Sequence, residues 1–161
     1  MSAIRKILLD TNILIKVFDT PSEKQTDEIK ELRQQIFTWL KDENVLLCIT
    51  PLIRFEVLNR PSNSKIEILK NALDLLRTEE IDNKVAERAA DLLQKVMVEK
   101  KRRVEANKEI YSPEQERITK LKLRFDVFHV ATEIRHQLEL ESKDTDIKFI
   151  QEVHKNTTST S

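Results

Sequence analysis

The sequence has no glycine and only one cysteine, Cys48, among its 161 residues. Average glycine usage is about 7%, so this absence excludes the glycine-rich phosphate loops of P-loop and dinucleotide-binding proteins. A single cysteine excludes a disulfide framework and a cysteine-built metal site. Because Cys48 lies in an apolar run, we expect it to be buried and unreactive. We expect Asn, Asp, Ser and Pro to form the turns.

The sequence also lacks an excess of charge of either sign and any long apolar run. Its 28 basic and 28 acidic residues cancel, so net charge favours no partner and only local clusters are informative. No apolar stretch approaches the ~20 residues that a membrane helix needs, so we expect no membrane partner. The N-terminus has no signal-peptide pattern, and we therefore expect a cytoplasmic protein.

The chain is long enough for one domain with its own core. Short apolar runs at Ile7–Leu9 and Val45–Thr50 are typical of buried parallel strands, whereas Glu23–Lys41 has helical periodicity. Strands alternating with helices predict an α/β fold, in which helices flank a central, mostly parallel sheet of about four to five short strands. We expect one domain over residues 1–155 and a disordered polar tail over residues 156–161.

Local signals predict where further elements begin and end. Proline in a first helical turn and Ser, Asp or Asn before a helix are typical start signals. In the first half of the chain, these signals predict a helix from Thr50-Pro51 to near Pro61, a capping box at Ser64–Glu67 that opens a helix to about Arg77, and a short strand at Glu80-Ile81. In the second half, they predict a helix capped by Asp82 or Asn83, one or two helices from Ser112-Pro113 to about Leu138, a strand at Leu138–Leu140 and a loop at Asp144–Asp146. The type of secondary structure at Ile147–Val153 is left unassigned.

Several acids lie beside apolar structure rather than in charge runs, namely Asp10, Glu56, Asp126, Asp144 and Asp146. Asp10 ends a predicted strand, where side chains face the ligand crevice of open α/β sheets. A carboxylate in such a place is costly unless it is paired or holds a metal, and Mg²⁺ prefers oxygen ligands. Taken singly, each acid is better explained by a helix cap or a solvated face, and Asp10 by capping a helix from Thr11 to Phe18.

Four segments resemble, in order, the motifs of PIN domains, the fold of VapC-type toxin ribonucleases. Leu8–Ile15 resembles the opening motif, and Thr50–Leu58 resembles the second, in which Ser or Thr precedes a helix that carries the acid. Arg124–Thr132 resembles the third motif, and Ser142–Asp146 resembles the acidic turn after the fourth strand. Together the motifs cover roughly residues 4–150.

The resemblance implies a metal-dependent endoribonuclease that hydrolyses RNA through a water activated by Mg²⁺ or Mn²⁺. The implied catalytic and metal-binding acids are Asp10, Glu56, Asp126 and Asp144. We prefer Asp144 to Asp146 as the fourth acid. Asn12, Thr50 and Asp146 would orient ligands or water from behind these acids, although Asn12 and Thr50 are equally explained as capping residues.

The resemblance also bears on partners. Besides the RNA substrate, a toxin role would imply an antitoxin that covers the site, and a homodimer. The alternative is a catalytically weak or inactive PIN-like scaffold that binds RNA or a protein, which the polar fourth strand at Leu138–Glu141 favours. An aspartyl-nucleophile phosphatase is less favoured, because its Asp-x-Asp motif would need an acid at Asn12.

A basic segment lies between the second and third motifs, at about residues 98–123. Its densest part is Lys100, Lys101, Arg102 and Arg103. We predict a basic helical arm here that contacts an RNA phosphate backbone. The alternative is a solvated helical hairpin without a ligand.

Overall fold

Strands β1 (Arg5–Leu9) and β2 (Val45–Ile49) form the centre of a four-stranded parallel sheet. The structure is a computed structural model that describes residues 3–59 and 65–159. The described sheet has the order β3-β2-β1-β4, where β3 is Arg77–Thr78 and β4 is Glu139–Glu141. The predicted α/β fold with a mostly parallel sheet is therefore confirmed.

Eight helices accompany the sheet in the described residues. Their bounds are α1 (Thr11–Phe18), α2 (Asp27–Lys41), α3 (Pro51–Leu58), α4 (Ile66–Leu73), α5 (Asn83–Ala106), α6 (Pro113–Leu123), α7 (Asp126–His136) and α8 (Thr145–Thr158), and a 3-10 turn covers Ser22–Lys24. Among these helices, none is both long enough and apolar enough to span a membrane.

The described residues group into two compact units. The first comprises those within Met1–Ile81 and His136–Lys143, and it contains the whole sheet with α1 to α4. Its core consists mainly of buried side chains from β1, β2 and these four helices, with Ile7, Leu8 and Leu9 almost completely inaccessible. The second comprises those within Asp82–Arg135 and Asp144–Ser161, where α5 packs against α6 and α8. The predicted single domain over residues 1–155 stays a prediction.

Strand β4 is polar because it lies at an edge of the sheet. Among the described strands it pairs with β1 alone, and Glu139 receives hydrogen bonds of 2.6–2.8 Å from Arg5 at the start of β1. Charged side chains are typical of edge strands, which they protect from pairing with other chains. The polarity of Leu138–Glu141 therefore fits its place in the sheet.

The predicted helix starts at Thr50, Asp82 and Ser112 are confirmed. The side chain of Thr50 accepts a hydrogen bond from the backbone N–H of Ile53, and that of Asp82 accepts one from Val85. Ser112 and Gln115 form a reciprocal capping box at the start of α6. These signals were predictable because each is a contact between residues three apart.

Several boundaries in the first unit were predicted wrongly. Helix α2 begins at Asp27 rather than at Glu23, and α4 ends at Leu73 rather than near Arg77. The third strand is Arg77–Thr78 and not Glu80-Ile81, since a strand of two residues carries no periodic pattern. Pro61 and the predicted capping residue Ser64 lie outside the described residues.

The predicted loop at Asp144–Asp146 is also wrong. Asp144 is the N-cap of α8, and Thr145 and Asp146 form its first turn. The segment at Ile147–Val153, whose secondary structure was left unassigned, is helical. Helix α8 continues through Thr158 into the tail that was predicted to be disordered. A side chain that caps a helix and one that closes a loop use the same residue types, so the pattern did not distinguish them.

Helix α5 ends in a Schellman motif that has lysine where glycine is usual. The N–H of Glu109 bonds to the carbonyl of Val104 and that of Lys108 to the carbonyl of Glu105, while Lys108 has a φ of 59°. A side chain at this left-handed position carries a steric penalty that glycine avoids. The expectation that Asn, Asp, Ser and Pro form the turns does not hold at this position.

We predict that Lys108→Gly stabilises the protein by about 0.5–1 kcal/mol, because it relieves the left-handed penalty. The matched control is Lys101→Gly inside α5, which should destabilise by about 1 kcal/mol. Urea unfolding followed by circular dichroism measures both variants. Destabilisation by Lys108→Gly as large as that by Lys101→Gly would contradict the assignment of a left-handed cap.

Candidate metal centre

Asp10 is a buried carboxylate at the carboxyl end of β1, with 3% of its surface exposed. One carboxylate oxygen, Oδ1, accepts a hydrogen bond of 2.7 Å from the backbone N–H of Thr11, so Asp10 caps α1 as the simpler alternative proposed. The other, Oδ2, accepts a hydrogen bond of 2.9 Å from the hydroxyl of Ser142, just beyond β4. Both oxygens are thus held in place, which lowers the cost of burying the charge.

Glu56 on α3 is linked to the same segment through Thr11. The Thr11 hydroxyl donates a hydrogen bond of 2.9 Å to Oε2 of Glu56, while its backbone N–H contacts Asp10. One residue therefore positions two of the predicted site acids in the first unit. The sequence analysis did not assign Thr11 a role, although its place directly after Asp10 was a usable signal.

The second unit brings Asp126, Asp144 and Asp146 together. One carboxylate oxygen from each lies within 4.8 Å of the other two, and all three residues are half-buried. Asp126 is the first residue of α7, and Asp144 accepts a 2.7 Å hydrogen bond from the backbone N–H of Asp146. Asp144 and Asp146 both belong to this acidic cluster, and the preference for Asp144 as the fourth acid stays a prediction.

Two features offset the repulsion within the acidic cluster. The acids lie at the starts of α7 and α8, where the helix dipole places partial positive charge. Lys122 on α6 also lies 2.7 Å from Oδ2 of Asp146. The hydrogen bond to Asp146 raises the pKa of Lys122, and the charges of Asp144 and Asp126 act in the same direction.

The acidic cluster suits a hard divalent cation. All of its donors are carboxylate oxygens, which Mg²⁺ and Mn²⁺ prefer over nitrogen or sulfur. Opposite ligands of an octahedral Mg²⁺ are about 4.2 Å apart and adjacent ligands about 3 Å, so the three oxygens, which lie within 4.8 Å of one another, would move closer together around a bound ion. The oxygen ligands of the acidic cluster therefore fit a divalent cation such as Mg²⁺ or Mn²⁺.

A model of the PIN domain family matches residues 7–153. The chain belongs to the PIN domain family. A solved structure is also similar to this PIN domain, described as the crystal structure of VapBC2 from Rickettsia felis bound to a DNA fragment from their promoter. The two chains are 15% identical with a TM-score of 0.44, over 86% of this chain and 99% of that one, and such a likeness does not extend to function. Among curated proteins, none matches this sequence significantly.

The two predicted supporting residues of this PIN domain differ in their surroundings. Thr50 is fully buried and its hydroxyl caps α3, as the capping alternative proposed. Asn12 is exposed in the first turn of α1. The orientation of ligands or water by either residue stays a prediction.

The predicted basic arm consists of the end of α5, a short connection and α6. Hydrogen bonds from Arg102 and Arg103 lower the pKa of Glu99 to about 2. Lys101 lies 3.9 Å from Glu105, and Lys100 lies over the ring of Phe149 at 4.8 Å from its centre. The segment is helical, which fits both the predicted basic arm and the hairpin alternative, and these four cations have partners within the PIN domain. RNA contact by Lys100 to Arg103 stays a prediction.

Two further polar residues at the carboxyl ends of strands were not assigned a role from the sequence. Ser142 follows β4 and donates a hydrogen bond to Asp10. The rule that ligand sites lie at the carboxyl ends of strands could have indicated a role for Ser142. Glu79 follows β3 and is 6% exposed, with Oε1 at 3.1 Å from Nε of Arg77. Glu79 was missed because the third strand was predicted too late in the chain.

Cys48 is fully buried, as predicted, and lies beside Glu79. Its Sγ is 3.7 Å from Oε1 of Glu79, and burial, reinforced by the Glu79 carboxylate, raises the pKa of the thiol to about 12. Since thiolate is the reactive form, the raised pKa makes Cys48 a poor nucleophile at neutral pH.

We predict that Cys48 in the native protein reacts with a thiol reagent at pH 8 on the order of a thousandfold more slowly than in the urea-unfolded chain, because thiolate is scarce and the side chain is inaccessible. Stopped-flow or manual labelling with a chromogenic disulfide measures both rates. Equal rates in the native and unfolded states would disprove the burial of Cys48.

Proposed function

We propose that this PIN domain is an endoribonuclease that depends on Mg²⁺ or Mn²⁺. The observation that supports this most is the acidic cluster of Asp126, Asp144 and Asp146, in a family whose members are generally nucleases. Asp10 and Glu56 are proposed as further metal-binding and catalytic acids from their motifs and from the hydrogen bonds that hold them.

A bound divalent cation supplies Lewis acidity at the scissile phosphate and lowers the pKa of a coordinated water. The protein contributes carboxylates whose positions are set before substrate binds. Thr11 restrains Glu56, Ser142 restrains Asp10, and the N-terminal turn of α8 restrains Asp144. In the proposed reaction, water adds to phosphorus and the bond to the 3′ oxygen breaks. The products carry a 5′-phosphate and a 3′-hydroxyl.

The cellular role proposed is that of a cytoplasmic toxin in a toxin–antitoxin pair, with an antitoxin that covers the site and a homodimeric state. The motif resemblance to VapC-type ribonucleases supports this role. The scaffold alternative was favoured by the polarity of Leu138–Glu141, which the edge position of β4 now explains. The observations therefore favour the nuclease over the scaffold.

We predict that Asp126→Asn and Asp10→Asn each reduce RNA cleavage at least about 100-fold, because loss of a direct ligand should exceed the 10- to 100-fold effect of residues behind the ligands. Wild type and variants are compared on a panel of structured RNAs with Mg²⁺ or Mn²⁺. End mapping should find 5′-phosphates on the products, and a chelator should stop the reaction.

The matched control is Asp91→Asn, which removes an exposed acid paired with Lys95 on α5. This variant should cleave like wild type, and circular dichroism should show that all variants are folded. Cleavage that survives the chelator, or that Asp126→Asn and Asp91→Asn affect equally, would contradict the proposed function.

We predict that Thr11→Val lowers the rate of RNA cleavage about 10- to 100-fold, because Glu56 loses the hydroxyl that orients it. Thr11→Ser keeps the hydroxyl and should restore most of the rate. The measurement is the single-turnover rate at saturating Mn²⁺. A Thr11→Ser variant as slow as Thr11→Val would show that the methyl group, and not the hydrogen bond to Glu56, is what matters.

A further inference from the structure

Lys122 occupies one of the oxygens that a metal ion would use. It lies in the last turn of α6, and its Nζ is 2.7 Å from Oδ2 of Asp146 in the acidic cluster. The side chain of Asp146 is 14% exposed, whereas that of Lys122 is 66% exposed. The carboxylate is thus sheltered, and the ammonium approaches it from solvent.

The charge balance of the acidic cluster differs with and without a bound metal. Without one, three carboxylates whose oxygens lie within 4.8 Å repel each other, and the ammonium of Lys122 offsets part of that repulsion. With a divalent cation bound, that oxygen of Asp146 faces two positive groups. A lysine ammonium and a metal ion then compete for one carboxylate.

Lys122 is suited to leave when it is displaced. Its charge sits on a flexible four-carbon stem and is already largely hydrated, so little is lost on moving into water. Ion pairs with an exposed partner are weak, since solvent screens them. A divalent cation with several carboxylate ligands should therefore displace Lys122 from Asp146. Breaking this ion pair should lower the affinity of the acidic cluster for the cation.

We propose that Lys122 is an internal competitor of the divalent cation at the acidic cluster, bound to Asp146 when the metal is absent and displaced when it binds. Lys122 thereby raises the metal concentration at which the acidic cluster fills. This inference rests on the proposed function, because it requires that Asp126, Asp144 and Asp146 hold a metal.

The chain provides a matched control two residues away. Lys120 lies on the same helix, carries the same charge and forms an ion pair of the same length, 2.7 Å, but its partner is Glu116 on α6. Neutralising Lys120 changes the net charge equally without freeing an oxygen of the acidic cluster.

The test is equilibrium binding of Mn²⁺ to the full chain, followed by the electron paramagnetic resonance signal of free Mn²⁺. Lys122→Gln should tighten binding about two- to fivefold, in line with the modest strength of an exposed ion pair. Lys120→Gln should leave the affinity within error of wild type. Asp126→Asn should weaken binding strongly and so assigns the bound ion to the acidic cluster.

A second readout follows the lysine directly. In nuclear magnetic resonance spectra of the ¹⁵N-labelled ammonium groups, Mg²⁺ should shift the Nζ signal of Lys122 and leave that of Lys120 in place. If Lys122→Gln matches Lys120→Gln in affinity, or if Mg²⁺ leaves the Lys122 signal unchanged, competition by Lys122 is overturned while the metal site stands. Mn²⁺ binding that is absent or insensitive to Asp126→Asn overturns both the competition and the proposed metal centre.

Discussion

The parallel pairing of β1 with a strand on each side is the constraint on which the first unit depends. Its residues pair with β2 from Arg5↔Val45 to Leu8↔Cys48 and with β4 from Ile7↔Glu139 to Leu9↔Glu141. Because the paired strands run in the same direction, they end at the same edge of the sheet. Asp10, Thr50 and Ser142 each follow one of these ends, and the hydrogen bond between Ser142 and Asp10 is a direct consequence.

In the second unit, three negatively charged side chains lie close together. The N-terminal ends of α7 and α8 supply partial positive charge, and the ammonium group of Lys122 supplies a full positive charge. The three acidic residues are half-buried, so their carboxylates remain partly exposed to solvent. An arrangement that keeps charges together at the expense of stability is typical of functional sites.

Much of the fold could be predicted because its signals are local. The apolar runs of β1 and β2, the caps at Thr50 and Asp82, and the capping box at Ser112 all depend on residues a few positions apart. Strand β3 and the start of α8 could not be placed, since a strand of two residues has no period and Asp144 suits a loop as well as a cap.

The acids of the candidate site were likewise predictable as single residues, but their partners were not. Strand ends indicate that Asp10 and Ser142 lie at one edge of the sheet, but no sequence spacing indicates that Thr11 contacts Glu56 or that Lys122 contacts Asp146. These contacts join residues that are distant in the sequence, and only the packing of helices and strands brings them together. Such contacts decide how the acids are oriented.

The proposed function depends above all on the binding of a divalent cation by the acidic cluster of Asp126, Asp144 and Asp146. The most direct measurement is anomalous diffraction from crystals of the protein grown or soaked with Mn²⁺. We expect an anomalous peak about 2.1 Å from carboxylate oxygens of Asp126 and Asp144. A well-ordered acidic cluster with no peak, in crystals that hold Mn²⁺ elsewhere, would contradict it.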